Sequence, residues 1–140
     1  MTNIKITFPY EPKPKLRPRF RIMYGRIATI TPPETKQFEY LISEYYCFNA
    51  QHYCFEKGVP LSIELEFGMP IPASATKKSK IDMQAGIVLP AKKPDIDNLT
   101  KSVLDALNGV AWHDDAQIVE IKASKIYSGS PYIKMFLHDF

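Results

Sequence analysis

The chain has 140 residues, of which 45% are hydrophobic and 24% are charged, a composition that indicates one globular domain and excludes a disordered or fibrous chain. Its apolar runs are far shorter than the about 20 residues that a membrane-spanning helix needs, so we expect no membrane span. The first residues lack the apolar segment of a secretory signal, which predicts a cytoplasmic protein, and the formal net charge of +3 by itself indicates no partner.

Residues 1–30 are predicted to form a strand, a loop and a hairpin, in that order. Apolar and polar residues alternate from Asn3 to Tyr10, the period-two pattern of a half-buried strand. Residues 9–18 contain four prolines among basic side chains, which predicts an extended loop without regular hydrogen bonding. Residues 19–30 are typical of a short hairpin that turns near Tyr24 and Gly25.

A long helix and a second strand are predicted next. The sequence Thr31-Pro-Pro-Glu34 is a capping box with proline in the first turn. Apolar residues then recur at steps of three and four as far as Phe48, and Gly58 is predicted to end the helix near Lys57. Residues 61–67 alternate between apolar and polar side chains, which predicts a strand with one solvent-exposed face.

The second half of the chain is predicted to contain a mobile segment, a short helix and a final hairpin. Residues 73–90 have weak periodicity and three lysines, so we predict a mobile excursion there. A short helix follows, with Asp97 as its N-cap and Asn108-Gly109 as its C-terminal stop. Residues 118–127 and 132–137, separated by Ser-Gly-Ser-Pro, are predicted to pair as a hairpin.

Together these elements predict an α+β fold in a single domain over residues 1–140, with a small mixed sheet covered by two main helices. Cys47 and Cys54 are seven residues apart, a spacing that is too long for a disulfide on one helix, so we expect free thiols in a reducing compartment. Neither a Cys-x-x-Cys pair nor a helical His pair is present, so a structural zinc site is not expected.

Basic residues are concentrated near the start of the chain. Between residues 13 and 26 there is no acid, and there are six bases: Lys13, Lys15, Arg17, Arg19, Arg21 and Arg26. Such a segment suits contacts with a DNA phosphate backbone, although proline-spaced bases also occur in ordinary surface loops. Tyr10, Phe20 and Tyr24 lie among these bases and are candidates for stacking on exposed nucleotide bases or for a wedge at a junction, with core packing as the alternative.

Acidic residues are concentrated around a single lysine, Lys101. Within residues 95–115 there are five aspartates: Asp95, Asp97, Asp105, Asp114 and Asp115. If residues 95–97 are extended, the first two carboxylates point to the same side, and helical spacing then places Lys101 and Asp105 on the same edge as Asp97. The reversal at Asn108-Gly109 is expected to return the last two aspartates to that edge.

Crowded carboxylates repel one another unless a cation neutralises them, and an all-oxygen ligand set suits Mg²⁺ or Mn²⁺. The pattern therefore predicts a metal-assisted hydrolytic site in which Lys101 stabilises negative charge on a phosphate or orients the attacking water. Each acid also has a structural alternative: a helix cap at Asp97, a turn residue at Asp95, a solvated turn at Asp114-Asp115, and an ion pair between Lys101 and Asp105.

The run that starts at Asp95 reads Asp-x-Asp-Asn-x-x-Lys, then Asp-Ala-Leu-Asn-Gly, then Asp-Asp-x-Gln-Ile, and it resembles the signature of the RusA family of phage and prophage Holliday junction resolvases. The resemblance is strong over residues 92–127 and looser at Lys15-x-Arg17-Pro18-Arg19, which is similar to the family's basic N-terminal loop. It implies a small Mg²⁺-dependent homodimeric endonuclease that makes paired symmetric nicks in four-way DNA junctions.

The resemblance also implies roles for individual residues. Asp95, Asp97 and Asp115 match the catalytic, metal-binding acids, and Lys101 matches the essential lysine. Asp114 and Asp105 match acidic positions, of which Asp114 is predicted to be a further metal ligand. Lys92 and Lys93 match bases that often precede the first aspartate and join the predicted DNA-binding residues, while Pro94 stands where some members have arginine.

The predicted function is therefore a Mg²⁺-dependent endonuclease, with Mn²⁺ able to substitute, that acts on branched DNA as a homodimer. Two identical sites related by a two-fold axis would address two symmetry-related strands. Two other functions stay open at this point. One is a nucleic-acid binding protein without catalysis, in which the basic loop acts alone. The other is a nuclease of the same chemistry that cleaves flaps, replication forks or RNA.

Overall fold

A computed structural model describes residues 1–140. The chain forms six strands, three α-helices and one short 3₁₀ turn, in the order β1 (Asn3–Phe8), β2 (Arg19–Met23), β3 (Arg26–Ile30), α1 (Pro33–Asn49), β4 (Leu61–Pro70), α2 (Lys77–Gln84), α3 (Ile96–Leu107), the 3₁₀ turn (Asp115–Gln117), β5 (Ile118–Ser128) and β6 (Tyr132–Asp139). The fold is a single small α+β domain, as the sequence predicts. No helix combines the length and the apolar character that crossing a bilayer requires.

The main sheet has four strands in the order β1-β6-β4-β5, with β4 and β5 parallel and the other pairs antiparallel. The predicted pairing of β5 with β6 as a hairpin is wrong, because β4 lies between them. β4 is the most buried strand, so its position at the centre removes the most apolar surface from water. Residues 129–131 reach across the width of that one strand, since neighbouring strands are about 4.8 Å apart and an extended residue spans about 3.3 Å.

One face of the sheet is covered and forms the core. α1 packs against β1 and α3, and α3 also contacts β5, so the two longer helices cover the sheet as predicted. The fully buried side chains between the layers include Phe8, Ile42, Tyr46, Leu107 and Trp112. The opposite face is open and carries charged residues of every strand in the sheet, among them Lys5, Glu64, Lys122 and Lys134.

The boundaries of α1 differ from the sequence prediction at both ends. Pro32 is the residue that precedes the helix, and no side chain caps the first turn, so the predicted capping box at Thr31 is wrong. The helix ends at Asn49 rather than near Lys57. Gln51 and His52 both have positive φ values, 52° and 60°, and they turn the chain so that Phe55 enters the core from an extended segment.

Residues 73–90, predicted to be a mobile excursion, contain the helix α2. The Thr76 side chain accepts a hydrogen bond from the Ser79 backbone N–H and caps the first turn. None of the α2 residues is buried, and this explains why apolar periodicity does not reveal the helix. The sheet is therefore accompanied by three helices rather than two.

The remaining predictions for local structure are confirmed. Residues 9–18 have no regular structure, and β2 and β3 form a hairpin that turns at Tyr24 and Gly25. α3 buries an apolar stripe and ends before Asn108, with Gly109 in the left-handed region at φ 78°. Cys47 and Cys54 are free thiols.

A close approach between β4 and β6 generates a stability prediction. A Cβ atom at Gly68 would lie 2.5 Å from the Tyr132 ring, and that ring is also held by a hydrogen bond of 2.7 Å from its hydroxyl to Glu66 Oε2. We expect Gly68→Ala to lower the free energy of unfolding by about 1–3 kcal/mol, the usual cost of overpacking, as measured by urea denaturation.

The matched control is Gly129→Ala. Its Cβ would meet only the end of the Gln84 side chain, at 3.3 Å, and a flexible side chain yields more easily than a ring. Equal effects of the two substitutions would contradict a specific clash with Tyr132.

Candidate active site

The N-terminus of α3 separates Asp95 from Asp97. Asp95 precedes the helix as the N-cap residue, and Asp97 lies in the first helical turn, so the prediction of Asp97 as N-cap is wrong. The expected extended conformation at residues 95–97 is also wrong, because the helix begins at Ile96. Side chains two positions apart on a helix diverge by about 200° rather than sharing a side.

An open cleft of about 390 Å³ gathers three of the four predicted catalytic residues. Asp97, Lys101 and Asp105 reach it from the polar edge of α3, and Asp115 reaches it from the 3₁₀ turn; the rest of its lining is Ile96, Thr100, Leu104 and Ile121. We call this feature the acidic cleft. The chain reversal after α3 thus returns Asp115 to the edge of the helix.

Asp115 is held in place by a buried tryptophan. The indole N–H of Trp112 donates a hydrogen bond of 2.8 Å to Asp115 Oδ1, and Trp112 is fully buried. A buried indole needs such a partner, so core packing fixes the position of the carboxylate. The second oxygen, Oδ2, has no hydrogen-bond partner within the chain and is available to a ligand. Nothing in the sequence pattern singled out Trp112 for this role.

The turn that carries Asp114 and Asp115 is organised by the buried side chain of Gln117. Its Oε1 accepts hydrogen bonds from the backbone N–H groups of His113 and Asp114, at 2.9 and 3.1 Å. Its Nε2 donates to the carbonyl oxygens of Glu56 and Val59, at 2.9 and 3.1 Å. The spacing Asp-x-x-Gln is that of a capping box, and it is the sequence signal that would have identified Gln117.

Asp114 has a structural role in the same turn. Its Oδ1 accepts a hydrogen bond of 3.0 Å from the Ala116 backbone N–H, and Asp114 does not line the acidic cleft. Its predicted role as a metal ligand stays a prediction, and the structure adds the role of a cap.

Asp105 anchors the N-terminal loop to α3. Its carboxylate lies 2.9 Å from Lys15 Nζ and 3.7 Å from Lys101 Nζ, and Lys15 also pairs with Glu39 of α1 at 3.0 Å. Burial lowers the pKa of Lys15, but the hydrogen bonds to Asp105 and Glu39 outweigh burial, and the net pKa is raised. Lys15, predicted to bind DNA, therefore has two carboxylate partners within the chain.

Asp95 lies at a neighbouring cleft rather than in the acidic cleft. That second cleft is formed with the N-terminal loop, where Lys13 is among the lining residues, and Lys93 Nζ is 3.6 Å from Asp95 Oδ2. Lys125 of β5 holds the preceding loop by donating to the carbonyl oxygens of Lys92 and Pro94, at 2.8 and 3.0 Å. Sequence reasoning did not assign Lys125 any role.

Most of the other predicted DNA-binding residues are on the surface. Lys13, Arg17, Arg19, Arg21, Arg26, Lys92 and Lys93 are all exposed. None of the four arginines forms an ion pair with an acid of this chain, whereas Lys13 pairs with Glu11. The four arginines and Lys92 are therefore the exposed bases of this set that have no acidic partner within the chain.

The donor set of the acidic cleft fits a hard divalent cation only in part. No group of three or more His, Cys, Asp or Glu side chains is arranged to hold a metal ion, so the expected convergence of four carboxylates is not present. The cleft does contain the carboxylates of Asp97 and Asp115. Mg²⁺ is usually bound through one or two carboxylates, with waters and substrate phosphate as the other ligands, so the number of carboxylates at the cleft is within the usual range for this ion.

Comparison with known proteins identifies one family model and two related proteins. The family model described as endodeoxyribonuclease RusA matches residues 9–137. The uncharacterised protein YqaN of Bacillus subtilis (strain 168) is 34% identical over 143 aligned positions, which cover 99% of this chain and 98% of that protein. A crossover junction endodeoxyribonuclease rusA of Lactococcus phage r1t is 35% identical over 74 positions, covering 52% of this chain and 50% of the phage protein.

The contacts of Lys125 generate a prediction about the loop before Asp95. We expect Lys125→Met to increase the rate of tryptic cleavage after Lys92 by about tenfold or more, because hydrogen bonds from a charged donor contribute about 1.5–3 kcal/mol each and the released loop becomes accessible to the protease. Limited proteolysis of the folded protein, followed by mass spectrometry, measures this rate.

Lys122→Met is the control, since Lys122 lies on the same strand but on its open face, away from the loop. If both variants are cleaved after Lys92 at the same rate as the unsubstituted protein, Lys125 does not hold the loop.

Proposed function

This chain belongs to the RusA family of endodeoxyribonucleases, and on that premise we propose that it is a Mg²⁺-dependent endonuclease that cleaves four-way DNA junctions by paired, symmetric nicks. Membership supports an endodeoxyribonuclease, and the phage relative is named for crossover junctions. The observation that carries the proposal is the acidic cleft, in which Asp97, Lys101 and Asp115 line one open cavity.

The reaction would be hydrolysis of a phosphodiester. A water oxygen forms a bond to phosphorus while the ester P–O bond breaks, the water gives up a proton, and the leaving oxygen takes one. A Mg²⁺ ion bound by Asp97 and Asp115 would supply a water of lowered pKa and neutralise charge on the phosphate. Asp95 lies at the adjoining cleft. We include it among the proposed catalytic residues because of the family resemblance alone.

Lys101 is the residue suited to the developing negative charge on the phosphate. Its side chain is 63% exposed, and its Nζ lies 3.7 Å from Asp105 Oδ1, a distance too long for a strong hydrogen bond. Asp105 is already paired with Lys15 at 2.9 Å. The Lys101 ammonium is therefore free to turn toward a phosphate oxygen, and a positioned cation at that point lowers the barrier to hydrolysis.

DNA binding requires more positive charge than the cleft itself provides, because its carboxylates repel phosphates. The exposed arginines of the N-terminal segment supply that charge, and Lys15 ties this segment to α1 and α3. Basic residues attract the phosphate backbone without reading its sequence. Lys13, Lys92 and Lys93 lie around the second cleft or in the loop beside it and extend the proposed DNA surface.

We propose that the protein acts as a homodimer. One copy carries one acidic cleft, and paired nicks need two. A two-fold axis would place the second cleft at the symmetry-related strand of the junction. Cleavage assays on four-way junctions, flaps, forks and RNA, run side by side, distinguish junction resolution from the same chemistry on another substrate.

The main prediction concerns the residues of the acidic cleft. We expect Asp97→Asn, Asp115→Asn and Lys101→Met each to reduce the rate of junction cleavage with Mg²⁺ by about 100-fold or more, the usual loss when charge stabilisation at the reacting phosphate is removed. Junction binding, measured by gel shift in Ca²⁺, should change much less.

Asp82→Asn is the matched control, because Asp82 lies on α2 outside the acidic cleft. Normal cleavage by the cleft variants would remove these residues from the mechanism. Junction binding that depends on salt, together with no metal-dependent nicking by the unsubstituted protein, would favour a binding protein without catalysis.

A separate prediction concerns the position of Asp115. Trp112→Phe removes the N–H donor that holds Asp115 Oδ1 while keeping an aromatic ring in the core. We expect cleavage to fall by about 10- to 100-fold, as when a group that orients a metal ligand is lost. The apparent affinity for Mg²⁺ in the cleavage assay should fall as well, and an unchanged Mg²⁺ dependence would show that the indole serves packing only.

A further inference from the structure

The β2–β3 hairpin stands apart from the rest of the molecule. It forms its own two-stranded sheet, packs substantially against no other helix or strand, and all five residues of β2 are exposed. An isolated two-stranded ribbon is at best marginally stable in water. A partner that covers the large apolar side chains of this hairpin would therefore stabilise it.

The two faces of the hairpin differ sharply in chemistry. In the register of the two strands, Phe20 pairs with Thr29 and Ile22 with Ile27, and because side chains of paired residues share a face, these four form one side. Phe20, Ile22 and Ile27 are 74%, 77% and 76% exposed. We call this side the apolar face of the hairpin; it carries no charge.

The opposite side carries the basic residues. Arg19, Arg21 and Arg26 project from it, together with Met23, Ala28 and Ile30, which share that face in the same register. None of these arginines forms an ion pair within the chain. Residues 12–33 contain no acid that would compete for them. This basic face is complementary to phosphate groups rather than to an ordinary protein surface.

The turn of the hairpin carries an exposed aromatic ring. Tyr24 has φ 52° and Gly25 has φ 74°, two consecutive positive values as in the tight turns that suit a twisted hairpin. A tyrosine rarely adopts such a backbone conformation. The side chain of Tyr24 is 99% exposed. The tip therefore presents a flat ring that is free to stack on a nucleotide base.

We propose that the apolar face of the hairpin inserts at the branch point of DNA and packs against unstacked bases there, while the basic face contacts phosphates of a flanking arm. The inference rests on the proposed DNA substrate and adds the surface that recognises its shape. Apolar side chains are known to wedge between base steps and open them. At a branch point the arms of the DNA separate, so base faces become accessible close to backbone phosphates. A thin two-stranded ribbon can therefore contact the bases with one face and the phosphates with the other.

The test uses a four-way junction with the fluorescent base 2-aminopurine next to the branch point, and a second junction with the same base in the middle of an arm. Fluorescence of this base rises when it loses its stacking partner. The full chain is added in Ca²⁺, so that the DNA is bound without relying on cleavage. We expect a rise for the branch-point probe and none for the mid-arm probe.

Two matched triple variants separate the faces. The apolar-face variant, Phe20→Ser with Ile22→Ser and Ile27→Ser, should lose most of the fluorescence rise and keep the salt dependence of binding. The basic-face variant, Arg19→Gln with Arg21→Gln and Arg26→Gln, should bind more weakly, and the slope of log affinity against log salt should fall by about 0.9 for each phosphate that the arginines no longer neutralise. Circular dichroism and urea denaturation check that the rest of the fold is unchanged.

Three outcomes overturn the proposal or separate it from the proposed function. A full fluorescence rise with the apolar-face variant would overturn it. Conversion of a dimer to a monomer by that variant, seen in sedimentation, would overturn it in favour of contact with a second copy of this chain. A rise with the unsubstituted protein that never nicks junctions in Mg²⁺ would support the branch-point contact and refute the proposed catalysis alone.

Discussion

The packing of α3 against α1 and the sheet is the interaction on which the rest of the site depends. Leu99, Val103 and Leu107 are almost completely buried, and burial of each such side chain stabilises the fold by about 1.5–3 kcal/mol. Because these residues occupy one side of the helix, the polar edge that bears Asp97 and Lys101 is turned toward the acidic cleft. The orientation of the proposed catalytic residues is thus set by hydrophobic burial on the other side of the same helix.

Buried polar groups connect this core to the remaining site residues. Trp112 is part of the core and at the same time the donor to Asp115. Gln117 links the turn after α3 to the segment before β4 through four hydrogen bonds. Leaving such groups unpaired in the interior would cost about 1–3 kcal/mol each, so the turn is strongly specified. A carboxylate held by the core keeps its position when a charged substrate approaches.

Charge is divided between two regions with opposite tasks in the proposed function. In that proposal the acidic cleft would hold a divalent cation, and the arginines near the N-terminus would attract DNA that the carboxylates alone would repel. The ion pairs from Lys15 to Asp105 and to Glu39 join the two regions. Only the hairpin lies outside the packed domain, and its opposite basic and apolar faces make it the segment best placed to respond to the shape of a substrate.

The sequence by itself determined the α+β class, most strands, the buried stripe of α3, the first hairpin and the family, because each depends on periodicity or on residues close together in the chain. It also singled out Asp97, Lys101 and Asp115, which lie at one cleft. Tertiary structure decided that β4 separates β5 from β6, that Asp95 faces another cleft, and that Trp112, Gln117 and Lys125 position the site. The strand order pairs residues as many as 135 positions apart, such as Asn3 and His138, and hydrogen bonds that organise the site join residues as many as 61 positions apart. Such contacts follow from competition among all buried surfaces rather than from any local pattern.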